Sequence, residues 1–338
     1  MEDHNQGEST ENRTRGERMG SGGPASGDAD ASAAKPLRAV LVGAVDSTRV
    51  AFDALAAAAG WRLAGLVTLE PGLAGRHSDF VDLTPGAAAR GVPVLGVDRI
   101  NEASTIERVR ALAPDFLFVI GWSQLCGPEL MAAAPGRVIG YHPAPLPRMR
   151  GRAAIPWTIL AAEPITAGTL FWIDDGMDSG AILDQLFLHV APDETAGSLY
   201  RRHMAALAAM MARTLPRLAA GTAPREPQDE RYATWTARRT PADGRIDWNW
   251  SAAEVDRLVR AVGRPYPGAF TECGANRLTI WAVARSPAGP RHRAQPGQVI
   301  ARDADGFTVM CGDGAALHVG EWGGERPPPL HAVLGRPM

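Results

Sequence analysis

Two side chains in this sequence have the types and the surroundings to move a proton near neutral pH, His142 and Asp178. His142 directly follows an apolar, strand-like run and opens a proline-rich loop, Pro143-Ala144-Pro145-Leu146-Pro147. Asp178 lies in an acidic loop, Asp174-Asp175-Gly176-Met177-Asp178-Ser179-Gly180, between two further apolar runs. A carboxylate beside an imidazole fixes its tautomer and stabilises the imidazolium, which is the minimal apparatus for acid–base catalysis. Taken alone the two residues are ordinary. Most histidines beside a strand are structural, and Asp-Gly loops are usually turns. Their weight comes from the elements around them.

Those elements alternate. Arg38–Gly43, Arg62–Leu69, Val92–Leu95 and Asp115–Gly121 read as buried strands, separated by helices at Asp46–Ala59, Thr84–Arg90 and Glu102–Leu112. Continuous apolar strands divided by helices predict an α/β fold with a Rossmann-like, mostly parallel sheet covered on both faces. A histidine at the C-terminal end of such a strand stands at the mouth where ligands bind. The first strand runs into Gly43-Ala44-Val45-Asp46 and not into a G-x-G-x-x-G turn, which argues against a dinucleotide site. After Gly151 come a helix ending near Ala162, strands at Gly168–Ile173 and Ala181–Val190, and a long amphipathic helix over Ala196–Ala219. Beyond Ser251–Val262, a further helix, short strands alternate with Gly/Pro turns in the rhythm of a smaller β-barrel-like domain. The expected division is a disordered tail at 1–36, a catalytic domain at 37–220, a linker at 221–243 and a β-rich domain at 244–338.

Composition narrows the partners. The chain has 338 residues, 45% hydrophobic and 21% charged, enough for a sizeable core. It has no uninterrupted apolar stretch of the ~18 residues that a membrane span needs, and no signal-peptide pattern, so the expectation is a cytoplasmic protein. Its three cysteines lack the spacing of a zinc site or a disulfide framework. The first 36 residues contain no aromatic residue and no Val, Ile or Leu, so they cannot offset their own ordering entropy. Residues 221–338 hold 15 arginines against 13 acidic residues. A nucleic-acid-binding barrel would need a marked basic face, which this balance argues against.

The ordered blocks around His142 resemble the folate-dependent formyltransferase superfamily. That family carries Asn-x-His, then Leu-Pro-x-x-Arg-Gly, then a distal Asp-x-Gly. The matching residues are His142, Leu146-Pro147-Arg148-Met149-Arg150-Gly151, Thr166, Thr169 and Asp178-Ser179-Gly180. Upstream, Ala113-Pro114-Asp115 and Gly121-Trp122-Ser123-Gln124-Leu125 continue the likeness. Downstream it runs through Asp243-Gly244-Arg245-Ile246-Asp247-Trp248 and Arg260–Phe270, so that it covers about residues 37–320.

The resemblance implies 10-formyltetrahydrofolate as co-substrate, no metal, and a small-molecule amine or hydroxylamine acceptor such as an amino sugar or an amino-acid derivative. It implies His142 and Asp178 as catalytic residues. It places the pterin against main-chain groups at Phe118, Ile120, Gly121, Trp122, Asp174, Asp175, Gly176 and Met177, and the acceptor near Arg150, Arg264 and Tyr266. The alternatives are a methionyl-tRNA formyltransferase, a formyl-folate hydrolase and a folate-binding pseudoenzyme. Two departures bear on the last. The family Asn, a donor to the formyl oxygen, falls on Gly140, and the family Ser on Ala144. Replacement donors would be the N–H groups of Ala144 or Leu146, the protonated His142, Tyr141, or a water in a small polar void beside Gly140. The acceptor's identity, the oligomeric state and the pathway are not legible in the sequence.

Overall fold

The computed structural model describes residues 35–76 and 79–336. Nearly all of the expected tail lies outside the described residues. β1 (Leu37–Val42), β2 (Trp61–Leu69), β3 (Val94–Val97), β4 (Phe116–Val119) and β5 (Val138–His142) pair in parallel. The two-residue β6 (Arg150–Gly151) stands apart, and β7 (Ile165–Trp172) and β8 (Ile182–His189) return antiparallel. The seven-stranded order is β3-β2-β1-β4-β5-β7-β8.

Helices α1 (Asp46–Ala57), α2 (Thr84–Ala89), α3 (Ala103–Ala111), α4 (Pro128–Met131), α5 (Ala154–Leu160) and α6 (Ala196–Ala219) alternate with the strands. The period-two alternation of β1 explains its apolar run from Ala39 to Val42. Ala39 and Leu41 enter one core with Phe52 and Leu55 of α1 and Leu207 and Met211 of α6. Val40 and Val42 enter another with Ile106 and Val109 of α3 and Leu130 of α4. Both faces are dry from Ala39 onward, so those four positions are apolar. The start of α1 is pinned to the end of β4 by Thr48, whose hydroxyl donates to the Ile120 carbonyl at 2.7 Å. The start of α6 is capped by Thr195, whose hydroxyl accepts from the Ser198 N–H at 3.2 Å.

The C-terminal part holds β9 (Trp235–Thr236), α7 (Ala252–Val262), β10 (Ala269–Cys273), β11 (Asn276–Ser286), β12 (Val299–Arg302), β13 (Phe307–Met310) and β14 (Ala316–Gly323). Its five-stranded antiparallel sheet, β10-β11-β14-β13-β12, is a half-barrel. Val255, Leu258 and Val259 of α7 fill it against Leu278, Phe307 and Val319, and the same core takes in Ile155 of α5 and Leu199 of α6. The half-barrel is thus packed onto the larger sheet's helices, and the described residues from Lys35 onward form one compact unit.

The stretch 221–243 is not a free tether. Its Glu226 exchanges main-chain bonds with Ile182 at 2.7 and 3.0 Å, and β9 runs parallel to β6, with Thr234 accepting the Arg150 N–H at 2.9 Å. Its polarity reflects a segment held by main-chain pairing, which leaves no apolar period to read.

Candidate active site

β5 carries the candidate base. Ile139 and Tyr141 face the α1/α6 core, so Gly140 and His142 share the opposite face. His142 is 6% exposed. Its Nε2–H donates to the Met149 carbonyl at 2.7 Å, and its Nδ1 faces Asp178 Oδ2 at 3.7 Å. A carbonyl only accepts, so the neutral ring carries its proton on Nε2 and turns the Nδ1 lone pair toward the carboxylate. Met149 has a left-handed backbone, φ 60°, which turns the proline-rich loop back over the histidine. The loop is pinned beneath by Thr169, whose hydroxyl donates to the Ala144 carbonyl at 2.7 Å, and by Gln185, whose amide donates to Thr169 Oγ1 at 2.8 Å and to the Leu146 carbonyl at 3.1 Å.

Asp178 is held from two sides. Its Oδ2 accepts the Gly151 N–H at 2.8 Å. Gln228, in the 221–243 segment, donates to the carbonyls of Asp178 and Gly180 at 2.8 and 2.7 Å. Gln228 in turn accepts from Arg150 at 2.7 Å, and Arg150 pairs with Glu230 at 2.6 Å. The Arg150 side chain is 3% exposed and its nitrogens are bonded within the chain. Buried and bonded in this way, Arg150 acts as a bracket behind the Asp178 loop, apart from the acceptor contact expected of it.

Gly140 lies in register with Phe171. A Cβ on Gly140 would meet the Phe171 ring at 2.9 Å and Ile173 at 3.1 Å. The expected polar void is therefore absent: an aromatic ring fills the direction a side chain would take. Among the expected replacement donors, the Leu146 N–H already bonds to the Ala144 carbonyl at 3.0 Å. The Tyr141 hydroxyl is taken up by His203, which leaves the Ala144 N–H and the protonated His142.

The positions expected to meet the pterin divide. Phe118 is fully buried and paired between Leu41 and Ile139, and Ile120 is fully buried with its N–H on Val42 and its carbonyl accepting from Thr48. Both therefore lie within the sheet and its junction with α1, behind the mouth. Gly121 and Trp122 lie just beyond the strand, and the Trp122 indole N–H is buried without a partner. The Asp174 carboxylate accepts from the Gly176 N–H at 3.1 Å and the Ser179 hydroxyl at 2.8 Å, so the Asp174–Met177 turn holds its own shape. Asp175 and Gly176 are exposed, and Met177 is 48% exposed.

Arg264 and Tyr266 stand elsewhere. Arg264 lies over the Trp281 ring and lines a cavity whose walls include neither His142 nor Asp178. Tyr266 closes a turn onto the Gly263 carbonyl, and burial raises its hydroxyl well above the ordinary tyrosine range. Behind the sheet, the Tyr141 hydroxyl meets His203 Nδ1 at 3.1 Å. Burial, reinforced by His142 and Arg202, pushes His203 down to about 3, so that it stays neutral.

Met149, Gln228 and Gln185 were missed in the sequence. Met149 acts through its carbonyl, which leaves no mark on residue type. Among the described residues there is no cluster of three His, Cys, Asp or Glu side chains able to hold a metal, and no helix long and apolar enough to cross a membrane.

Comparison with known proteins agrees with this architecture. The family profile described as formyl transferase matches residues 70–215, and that of the formyl transferase C-terminal domain matches residues 238–326. The chain belongs to the formyltransferase family. Among solved structures, an N-formyltransferase from Helicobacter canadensis, in complex with folinic acid and dTDP-3-aminofucose, is 14% identical with a TM-score of 0.61, over 84% of this chain and 99% of its own. WlaRD, a sugar 3N-formyl transferase solved in the presence of dTDP and 5-N-formyl-THF, is 15% identical with a TM-score of 0.59, over 84% and 97%. A variant of HypX from Aquifex aeolicus is 18% identical with a TM-score of 0.59 over 84% of this chain, which spans 45% of the length of HypX. At these identities the likeness is one of fold.

Proposed function

We propose that this protein transfers the formyl group of 10-formyltetrahydrofolate to the amine or hydroxylamine nitrogen of a small acceptor. The observation that carries the reading is the face-to-face arrangement of His142 Nδ1 and Asp178 Oδ2 across 3.7 Å, with the far ring nitrogen tied to Met149. Two acceptors facing each other at this separation call for a donor between them. The attacking amine supplies one. As its nitrogen bonds to the formyl carbon, His142 Nδ1 takes its proton and the carbonyl electron pair moves to oxygen. The imidazolium keeps its bond to Met149, and its charge lies next to the Asp178 carboxylate. On collapse, the bond from carbon to the folate nitrogen breaks, and His142 returns the proton to that leaving nitrogen. A general base of this kind contributes ~10²–10⁴ in rate.

The mouth suits a flat co-substrate. The buried, unpartnered Trp122 N–H and the exposed Leu125 and Met177, 73% and 48% accessible, belong to the two loops beside the site. An aryl-bearing folate would cover apolar side chains that water otherwise meets. The neighbours from Helicobacter canadensis and WlaRD, solved with formylated folates and with a dTDP-aminosugar or dTDP, support a folate co-substrate and a small acceptor. The near balance of acidic and basic residues in the half-barrel supports the same reading over a tRNA.

One observation favours a second reading. With Phe171 in the direction of the missing Asn, a strong formyl-oxygen donor is lost, and a folate-binding protein without transfer activity becomes the competitor. Incubation with 10-formyltetrahydrofolate and a panel of amines, following tetrahydrofolate release, separates the cases. Acceptor-dependent release is the expected result. Release without acceptor would mean hydrolysis, and none with any amine would favour the binding protein.

A further inference from the structure

A second cavity, of about 380 Å³, opens where the start of α6, one face of α7 and β11 meet. Its size suits a small ligand. Arg201, Arg260 and Arg264 line it together with Trp281. Two of these charges are already matched. Arg260 donates to Asp256 at 2.8 Å, and Arg264 donates to Glu321 at 2.6 Å while stacking on Trp281 with 4.3 Å to the ring centre. Glu194, the acid nearest the start of α6, is spent on Arg202 at 2.6 Å.

Arg201 is left over. It is exposed, and no carboxylate among the described residues lies within ion-pair distance of it. Its guanidinium lies beside Gly197, in the first turn of α6, and Thr195 and Gly197 line the same cavity. The first amides of a 24-residue helix lack helical acceptors and carry its positive dipole end. The surplus in the cavity is therefore positive, and it is carried by a free guanidinium next to one pre-ordered on an aromatic ring.

We infer that this cavity binds the anionic group, a phosphate or a carboxylate, of a small ligand, with Arg201 as its charge partner and the Arg264–Trp281 stack as its wall. The anion could be the far end of the formyl acceptor or could belong to a separate phosphorylated molecule. The shared chemistry is the same. The first case rests on the transfer reading; the site itself does not.

Calorimetric titration of the full chain with inorganic pyrophosphate at low salt tests it. Saturable binding is expected, weakened about fivefold or more in R201A, as for the loss of one charge-assisted contact, and largely restored in R201K. Arg201 is an exposed helical position where alanine is well tolerated, so circular dichroism should show an intact fold. No saturation by the order of 10 mM, or equal affinity in R201A, would overturn the inference. In the tetrahydrofolate-release assay, pyrophosphate competing with the amine assigns the anion to the acceptor. Pyrophosphate binding without competition assigns it to a separate ligand. Because binding is read directly, the site can fail while transfer stands, and the reverse.

Discussion

The imidazole Nε2 of His142 donates to the main-chain carbonyl of Met149 at 2.7 Å, and this bond decides which ring nitrogen can act as a base. The Met149 carbonyl cannot accept and donate in turn, so Nδ1 is committed to the side where Asp178 stands. Nitrogen-15 NMR of the histidine-labelled protein should show the neutral His142 ring as the Nε2–H tautomer. A dominant Nδ1–H tautomer would place the basic nitrogen against Met149 and remove it from the reaction.

Gly140 should not accept the family residue. Gly140→Asn drives a side chain into Phe171, and the expected cost is about 1–3 kcal/mol of stability, the usual range for overpacking. Adding Phe171→Ala should recover part of that loss. Denaturant midpoints of the single and double variants check it. A Gly140→Asn protein as stable as the wild type would mean that the ring does not occupy this space.

Gln228 should matter although it touches neither reacting group. Gln228→Ala removes the two bonds that hold the Asp178 loop, and a fall in kcat of about tenfold is expected, the equivalent of one or two such bonds. Gln228→Glu keeps the shape and loses the donor, so it should fall with the alanine variant. Wild-type kcat in both variants would show that the loop needs no bracket.

Much of this was readable beforehand. The alternation of buried strands and helices located the sheet because its inner strands, β1, β2 and β4, are buried at nearly every position, and the Ala196–Ala219 helix was legible from its amphipathic period. His142 and Asp178 were legible as side chains at loop mouths. What stayed hidden works through the main chain or through distant pairing. The Met149 carbonyl has no sequence signature. β10 follows Pro265 and Pro267, which read as a turn, and becomes a strand only by pairing with β11. The role of 221–243 depends on Gln228 and Thr234 meeting residues about 50 to 85 positions away. Gly140 was legible as a missing donor, but only the register of β7 shows Phe171 opposite it.

His203 gives a pH signature. Its unfolded value lies near 6.5 and its folded value is pushed down to about 3. Between these limits the unfolded chain binds one more proton, so stability is full above pH 6.5 and falls as pH drops toward 3, by up to about 1.4 kcal/mol per unit. His203→Asn should flatten the stability-against-pH curve in that window relative to wild type. Parallel curves would mean that His203 protonates freely in the folded protein.

The most direct test of the central claim is single-turnover tetrahydrofolate release from 10-formyltetrahydrofolate with an accepting amine, in wild type, His142→Ala and Asp178→Asn. Both variants should bind the folate with near wild-type affinity and lose at least ~10² in the transfer rate, the lower end of a general base's contribution. Wild-type release rates in His142→Ala at saturating substrates would contradict the account, because it assigns removal of the amine proton to His142 Nδ1.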